Sequence, residues 1–340
     1  MKTIVLEKPD LLRLTDTEPP EQPAPGEALV CVHRVGICGT DLHAFRGKQT
    51  FFSYPRILGH ELGVEIVAMG PTERDLGLAV GDHCCVEPYL NCGHCIACRR
   101  GKSNCCVSLK VLGVQTDGGM RELITVPVEK LHKSQTLSLD HLALVEMLCI
   151  GAHAVRRAQF EAEEFVLVIG AGPIGLSVIQ FAQLAGANVI VMEISENRLE
   201  LCRQELGDEF CIDSKRDPLP QLQAILSGDL PTTVFDATGN ANSMMKAFDY
   251  VAHGGKLIFV GHFQGDITFH DPDFHRRELT LMGSRNATGE DFAWAIKVLE
   301  AGKINLMPWI THRASPEEIV AEFPRWLEPE SGIIKAMLEF

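Results

Sequence analysis

The chain has 340 residues, of which 46% are hydrophobic, so it is long enough for about two globular domains with sizeable cores. Its 45 acidic and 31 basic side chains give a formal net charge of −14. Nucleic acids and anionic membranes are bound by basic surfaces, so we expect neither as a partner. The chain starts without the apolar run of a secretory signal, and its 12 cysteines then indicate a protein of the reducing cytoplasm.

Residues 1–145 predict a β-rich domain, because short runs of β-forming residues alternate with proline and glycine turns. Two dense polar motifs lie within it, C-G-T-D-L-H at 38–43 and G-H-E at 59–61. A catalytic zinc ion keeps three protein ligands and one open position, and Cys38, His60 and one later residue offer such a set. Taken singly, Cys38 is also typical of a small buried residue, and His60 is also typical of a core histidine.

The most specific motif is a run of four cysteines, Cys92-Gly-His-Cys95-Ile-Ala-Cys98, with Cys106 as the fourth. Structural zinc sites commonly bind four thiolates, and two-residue spacers let consecutive thiolates turn onto one ion. A redox pair would need only two cysteines. We therefore predict a structural zinc lobe at about 88–110, and the neighbouring Cys105 leaves the identity of the fourth ligand open.

The middle of the chain predicts a doubly wound parallel sheet. Residues 142–159 look helical and are expected to join two domains, and from about residue 163 apolar strands alternate with helices. The 28 residues Phe165–Met192 contain no charged side chain. Glycines, a proline and several amide side chains interrupt this segment. It therefore predicts a strand, a tight turn, a helix and a second strand rather than a membrane span.

A dinucleotide fingerprint follows the first of these strands and opens a helix, as that motif requires. It consists of Gly170, Ala171, Gly172, Pro173, Ile174 and Gly175. The three glycines permit the tight turn, the close approach of the pyrophosphate and the packing of helix on strand. Glu193 ends the second strand, where a carboxylate binds ribose hydroxyls and repels a 2′-phosphate, which favours NAD. Glu193 as a solvated strand end is the alternative, and the nearby Arg198 weakens the discrimination.

Taken together, these motifs resemble the zinc-dependent medium-chain dehydrogenases, the alcohol and sorbitol dehydrogenase family. The resemblance runs nearly end to end and includes two further motifs, Asp117-Gly-Gly119 and Asp236-Ala-Thr-Gly239. It implies an α/β protein with a Rossmann domain at 146–285. Residues 1–145 and the return segment 286–340 would form a GroES-like, β-rich catalytic domain that carries the structural zinc lobe.

The resemblance implies one catalytic and one structural zinc ion per chain, with NAD as the second cofactor. Cys38 and His60 become ligands of the catalytic zinc. Glu146 falls where the sorbitol dehydrogenase branch places a glutamate near the metal, and Glu61 becomes an exchanging ligand or a carboxylate behind the ligands. Which of the two glutamates binds zinc directly stays open.

The resemblance also implies a proton path and further cofactor contacts. Thr40 and His43 would carry the proton of the substrate hydroxyl to solvent, and His43 suits the last step because imidazole titrates near neutral pH. Arg198, Thr238 and Gly261 join the residues expected to contact the cofactor.

Segments at 51–56 and 283–288 are similar to those of bacterial sugar-acid dehydrogenases, so Phe51, Arg285 and Asn286 are expected to contact the substrate. The guanidinium of Arg285 can bind a carboxylate with two hydrogen bonds, and an ion pair with a surface glutamate or a cofactor contact is the alternative. The expected function is zinc-dependent oxidation of a secondary alcohol in a small molecule, a sugar acid or polyol like L-galactonate, with hydride transfer to NAD⁺. We expect a homodimer or homotetramer.

Two other functions remain open at this point. Within enzymes, the chain is compatible with a threonine or simple alcohol dehydrogenase. Outside enzymes, it is compatible with a non-catalytic, zinc-stabilised dinucleotide-binding protein. The complete set of Cys38, Thr40, His43 and His60 favours the enzyme. Two zinc ions per chain would support it, and one would support the scaffold.

Overall fold

The computed structural model describes residues 1–49, 52–73, 75–206 and 210–340, with the side chains of 205, 206 and 329 left aside. The chain divides into two compact units, residues 1–146 with 288–340 and residues 147–287. Within the described ranges, no helix combines the length and the apolar character that crossing a membrane requires.

The N-terminal part of the first unit is built mainly from strands. Its elements are β1 (Lys2–Lys8), β2 (Leu11–Asp16), β3 (Glu27–Ile37), α1 (Gly39–Phe45), β4 (Arg56–Ile57), β5 (Glu61–Met69), β6 (His83–Val86), β7 (Tyr89–Leu90), α2 (Ile96–Arg99), β8 (Lys110–Val111), β9 (Leu123–Pro127) and β10 (Leu131–Lys133). The β-rich pattern predicted for this region is therefore confirmed.

The middle of the chain alternates strands and helices. Its elements are α3 (Leu139–Ala158), β11 (Phe165–Ile169), α4 (Pro173–Leu184), β12 (Asn188–Glu193), α5 (Glu196–Leu206), β13 (Cys211–Asp213), α6 (Pro218–Ile225), β14 (Thr233–Asp236), α7 (Ala241–Lys246), β15 (Lys256–Phe259), α8 (Asp271–Arg276) and β16 (Thr280–Gly283). The predicted strand, turn, helix and strand at 165–192 are present as β11, α4 and β12.

The strands of the second unit form a parallel sheet in the order β13-β12-β11-β14-β15-β16. This arrangement confirms the doubly wound sheet. The direction of strand addition reverses between β11 and β14, and ligands of such sheets bind at the carboxyl ends of the strands beside this reversal. The glycine motif at 170–175 follows β11 and therefore lies at this position.

The sequence of residues 243–251 predicts a helix, and the structure has a shorter helix that begins earlier, at Ala241. The Asn240 side chain accepts hydrogen bonds from the backbone N–H groups of Asn242 and Ser243, which caps α7 and starts it two residues before the predicted first residue. The remainder of the predicted helix, Ala247–Tyr250, forms a separate 3₁₀ turn.

The C-terminal segment completes the sheet of the first unit. Its elements are α9 (Gly289–Glu300), β17 (Ile310–Ala314), α10 (Ile319–Arg325) and β18 (Lys335–Glu339). The strand order is β10-β6-β5-β3-β18-β17, and β9 also pairs with β3. Because β18 runs antiparallel to β3 with Ala336 opposite Ile37, the last strand of the chain begins beside the loop that carries Cys38.

Candidate functional site

Helix α1 positions the first motif. Cys38 has an extended backbone and caps the helix, and its backbone N–H donates to the Asp41 carboxylate at 2.9 Å. Thr40 is half-buried and His43 is exposed. Residues three positions apart share a helix face, so the threonine and histidine predicted to form the proton path lie on one face of α1.

The turn before β5 carries His60, and the Asp-Gly-Gly segment holds that turn. Gly59 has φ of +94°, which favours glycine, and a β-carbon there would lie 2.9 Å from the Val35 side chain. Asp117 accepts hydrogen bonds from the Arg56 guanidinium and from the backbone N–H of Ile57. The backbone N–H of Gly119 donates to the Gly59 carbonyl at 2.9 Å. The motif at 117–119 therefore acts structurally, by fixing the G-H-E turn.

Cys38, His60 and Glu61 form a group whose potential ligand atoms all lie within 4.8 Å of one another. Glu146 is not a member of this group. Sulfur, imidazole and carboxylate are the ligand types that zinc binds in catalytic sites. The structure thus brings the two expected ligands Cys38 and His60 together, and Glu61 is the carboxylate of this group.

The surroundings of His60 also fit a cation. The Nδ1 atom of His60 lies 3.8 Å from the Asp41 carboxylate, and neither this nitrogen nor Asp41 Oδ1 has a hydrogen-bond partner in the described part of the chain. Burial disfavours the imidazolium form, yet the charges of Asp41 and Cys38 outweigh burial and hold the pKa of His60 well above its usual value. Asp41 is thus placed to orient the imidazole of a metal-binding histidine.

Glu61 is held by a residue that sequence reasoning missed. The Lys335 ammonium donates to both Glu61 carboxylate oxygens, at 2.7 and 2.8 Å, and to the Ile37 carbonyl at 3.1 Å. Both side chains are buried. A β-carbon on Gly36 would lie 2.1 Å from a Glu61 oxygen, so this glycine provides the space for the carboxylate. The available signal was a lysine directly before the apolar run of residues 336–338 in the final strand.

Glu146 is held by a second residue that sequence reasoning missed. It is buried on α3, and the Tyr89 hydroxyl donates a short hydrogen bond to its Oε1 atom. Burial raises the pKa of Glu146, as expected for a carboxylate that lies out of water. The two candidate carboxylates therefore have different partners, lysine for Glu61 and tyrosine for Glu146.

The four-cysteine lobe forms a second group of potential metal ligands, with the sulfur atoms of Cys92, Cys95, Cys98 and Cys106 all within 4.8 Å. Cys105 is exposed and is not a member. Backbone N–H groups of Cys92 and Ser108 point at the Cys106 sulfur, at 3.3 and 3.4 Å. The geometry matches a closed tetrathiolate site, and Cys106 rather than its neighbour completes it.

The glycine motif has the geometry of a phosphate-binding turn. Gly170 has φ of +93°, and Gly172 caps α4 with Pro173 as its first residue. A β-carbon on Gly175 would lie 1.8 Å from the Gly170 carbonyl oxygen, so only glycine lets the helix approach the strand this closely. Ile174 is half-buried in the first turn of the helix.

Glu193 is buried at the end of β12 and binds the backbone around it. Its carboxylate accepts from Ala171 N–H at 2.6 Å, and from the N–H groups of Ile194 and Ser195 at 2.7 and 2.9 Å. Arg198 lies 3.8 Å from the same carboxylate. The alternative of a solvated strand end is wrong, because Glu193 is 4% exposed and ties the glycine turn to β12.

Thr238 and Gly261 lie after β14 and β15, next to the glycine turn. The backbone N–H and hydroxyl of Thr238 donate to Asp236 at 2.9 and 2.6 Å, and Gly261 N–H donates to the Asp236 carbonyl. The Thr238 methyl would lie 3.0 Å from a β-carbon on Gly170. The predicted cofactor residues therefore converge at the carboxyl ends of β11, β14 and β15.

Of the three expected substrate residues, Phe51 lies outside the described residues. Arg285 is exposed on the segment after β16. Asn286 has φ of +52°, and its Nδ2 atom is buried with no hydrogen-bond partner in the described ranges. These two residues stay predictions.

Comparison with known proteins agrees with this geometry. Residues 24–136 match the alcohol dehydrogenase GroES-like domain, and residues 173–301 match the zinc-binding dehydrogenase family. The chain belongs to the zinc-type medium-chain dehydrogenases. The expected combination of a GroES-like domain with a Rossmann sheet is thereby confirmed, and the non-catalytic scaffold loses its support.

Three relatives illustrate the family. The chain is 42% identical to L-galactonate-5-dehydrogenase of Escherichia coli K12, over 94% of each chain. It is 32% identical to L-threonine 3-dehydrogenase of Pyrococcus horikoshii, over 86% of this chain and 85% of that one. The crystal structure of the short chain alcohol dehydrogenase rspB from E. coli CFT073 with NADH superposes with a TM-score of 0.92 at 31% identity, covering 100% and 99% of the two chains.

Proposed function

We propose that this zinc-type dehydrogenase oxidises a secondary alcohol of a sugar acid or polyol, like L-galactonate, and transfers the hydride to NAD⁺. The observation that carries the proposal is the group of half-buried Cys38 with buried His60 and Glu61, with Asp41 behind the imidazole. The relative at 42% identity, an L-galactonate-5-dehydrogenase, supports the choice of substrate class.

Cys38 and His60 would hold the catalytic zinc, with Glu146 or Glu61 as the third ligand. Bound there, zinc supplies a Lewis acid that lowers the pKa of a hydroxyl group. Asp41, whose carboxylate lies 3.8 Å from the Nδ1 atom of His60, would orient the imidazole once the metal is bound. The four lobe cysteines would hold a structural zinc.

Thr40 and His43 are proposed to pass the substrate proton to solvent. Their common face on α1 starts at the helix end that Cys38 caps, which supports a path from the metal ligand outward. His43 is exposed, so its imidazole can exchange a proton with water.

NAD⁺ is proposed as the hydride acceptor because Glu193 lies at the end of β12. A buried carboxylate at this position binds ribose hydroxyls and repels a 2′-phosphate. The N-terminus of α4, with its free N–H groups, would bind the pyrophosphate. Arg198 beside Glu193 provides a cation within reach of the same region.

The direct test is the appearance of NADH from NAD⁺ with L-galactonate, other aldonates, neutral polyols, L-threonine and simple alcohols. We expect the highest kcat/KM with an aldonate. Turnover on neutral polyols alone would remove the carboxylate from the proposal and keep the reaction. Preference for threonine would favour the threonine dehydrogenase function, and no turnover by zinc-loaded protein would contradict the proposed substrate class.

Arg285 is proposed to recognise the substrate carboxylate. Arg285→Ala should raise KM for the aldonate by roughly 10- to 100-fold, because a charged hydrogen bond contributes about 1.5–3 kcal/mol. The KM for an uncharged polyol should stay close to that of the wild type. An equal rise for both substrates would contradict carboxylate recognition, and Arg325→Ala on the exposed end of α10 serves as the control.

A further inference from the structure

Strand β7 closes the base of the four-cysteine lobe. Tyr89 and Leu90 pair antiparallel with Val111 and Lys110 of β8, and the chain between these strands contains all four cysteines of the lobe. Two residues per strand are too few to keep a hairpin folded by itself. The position of β7 therefore depends on the lobe above it and on the side chains packed below it.

A buried lysine holds both ends of segment 87–91, which contains β7. The Lys130 ammonium donates to Glu87 at 2.5 Å and to the Asn91 side-chain oxygen at 2.9 Å. His132 lies 3.2 Å from the other Glu87 oxygen. The amide nitrogen of Asn91 in turn points at the Cys98 sulfur, at 3.8 Å. Segment 87–91 thus contacts a lobe cysteine through Asn91. Through Glu87 it contacts His132 of β10 and Lys130, the residue before that strand.

Tyr89 lies in the middle of this segment and faces the core. It is 2% exposed, and the Phe292 ring packs edge-on against it with centroids 6.3 Å apart. Its hydroxyl donates to Oε1 of Glu146. A phenol has one hydrogen to donate, so it engages one carboxylate oxygen and leaves the other for a metal.

We propose that Tyr89 is a positioning residue that holds Glu146 for the catalytic zinc, and that segment 87–91 transmits the integrity of the four-cysteine lobe to that centre. This inference rests on the proposed function, because it requires a zinc ion at Cys38 and His60. Loss of order in the lobe would release Asn91, shift β7 and turn Glu146 away from the metal.

The first test compares Tyr89→Phe with Tyr250→Phe in zinc-loaded protein. Tyr250 is a buried tyrosine in the core of the second unit, which contributes no residue to either metal group, so its variant is a matched removal of a phenol hydroxyl. A competing chelator should extract the catalytic zinc, and the lobe zinc should leave only after a thiol-reactive mercurial is added. We expect Tyr89→Phe to weaken catalytic zinc binding by about 10- to 100-fold, as partners of metal ligands typically do.

Cobalt substitution supplies a readout that a purely structural role would not change. The visible absorption of cobalt(II) at the catalytic site depends on its ligands, so it should shift in Tyr89→Phe and stay constant in Tyr250→Phe. If both the catalytic metal affinity and the cobalt spectrum were unchanged in Tyr89→Phe, the positioning role would be overturned.

A double-mutant cycle with Asn91→Ala tests the transmission. If Asn91 acts through Tyr89, Asn91→Ala weakens catalytic zinc binding in the wild-type background and adds little in the Tyr89→Phe background. The link would be overturned if Asn91→Ala had no effect on zinc binding in the wild-type background, or if it weakened zinc binding equally in both backgrounds. A wild-type chain that holds a single, mercurial-released zinc would instead overturn the proposed function.

Discussion

At the scale of single residues, Glu61 and Lys335 form a buried ion pair in the first unit. Both side chains are almost completely buried, and the ammonium lies between the carboxylate and the carbonyl of Ile37, the residue before Cys38. A buried ion pair adds little net stability, but removal of one partner leaves an uncompensated charge out of water.

Lys335→Met should therefore destabilise the zinc-loaded protein by about 3–5 kcal/mol. The measurement is the free energy of unfolding in urea. The double variant Lys335→Met with Glu61→Gln should recover part of the loss, because it removes the unpaired charge. As a control, Lys2→Met removes an exposed partner of Glu317 and should change stability little. A single variant as stable as this control would contradict the burial argument.

At the scale of an element, the turn between β11 and α4 uses its glycines for two different reasons. Gly175 faces the Gly170 carbonyl so closely that a β-carbon would lie 1.8 Å from the oxygen. A β-carbon on Gly172 would instead meet only the Arg198 guanidinium, at the ordinary contact distance of 3.7 Å. Gly175 therefore allows close packing within the protein, and Gly172 keeps the N-terminus of α4 accessible.

The two glycines should respond differently to alanine. Gly175→Ala should lower the free energy of unfolding by about 1–3 kcal/mol through overpacking, and weaken NADH binding as the turn shifts. Gly172→Ala should leave stability within about 0.5 kcal/mol, because its φ of −73° suits alanine, yet weaken NADH binding. Urea unfolding and NADH fluorescence titration separate the effects. Equal destabilisation by both substitutions would contradict the distinction.

At the scale of the first unit, Asp140 joins distant parts of the chain. Its carboxylate, near the start of α3, accepts from Arg34 of β3 and from Arg313 of β17, each at 2.7 Å. Arg313 also binds Glu339 of β18. This network connects β3 and the two C-terminal strands, β17 and β18, to the helix that carries Glu146.

The Asp140 network predicts a pH dependence. Burial opposes ionisation of Asp140, but the hydrogen bonds from Arg313 and Arg34 outweigh it and hold the pKa below its usual value. The network then contributes fully above the unfolded pKa of about 3.9, and the contribution disappears as pH falls through the lower folded pKa. Asp140→Asn should be less stable than the wild type by about 1–2 kcal/mol at pH 7, and the difference should shrink as pH falls through the folded pKa of Asp140.

The measurement for Asp140 is urea unfolding across the acid range. Asp16→Asn, at the exposed end of β2, is a control that removes a carboxylate without removing these hydrogen bonds. A stability difference between Asp140→Asn and the wild type that did not shrink as the pH was lowered would show that packing, rather than charge, is responsible.

The sequence by itself determined the features whose residues are close along the chain. Cysteine spacing predicted the lobe, and the glycine motif with its flanking apolar strands predicted the turn at 170–175. Short-range spacing is sufficient there because each motif closes on itself through a few backbone dihedral angles. Strand β13 and helices α6 and α8 were not predicted, because elements of three to eight residues carry little periodicity.

Only the tertiary structure decided the partners of the two candidate glutamates. Lys335 reaches Glu61 across 274 positions of sequence, and Tyr89 reaches Glu146 across 57. Antiparallel pairing of β18 with β3 and the packing of α3 bring these side chains together. No local sequence pattern encodes contacts between residues so far apart along the chain. Likewise, Cys106 rather than Cys105 joins the lobe because the fold buries one neighbour and exposes the other.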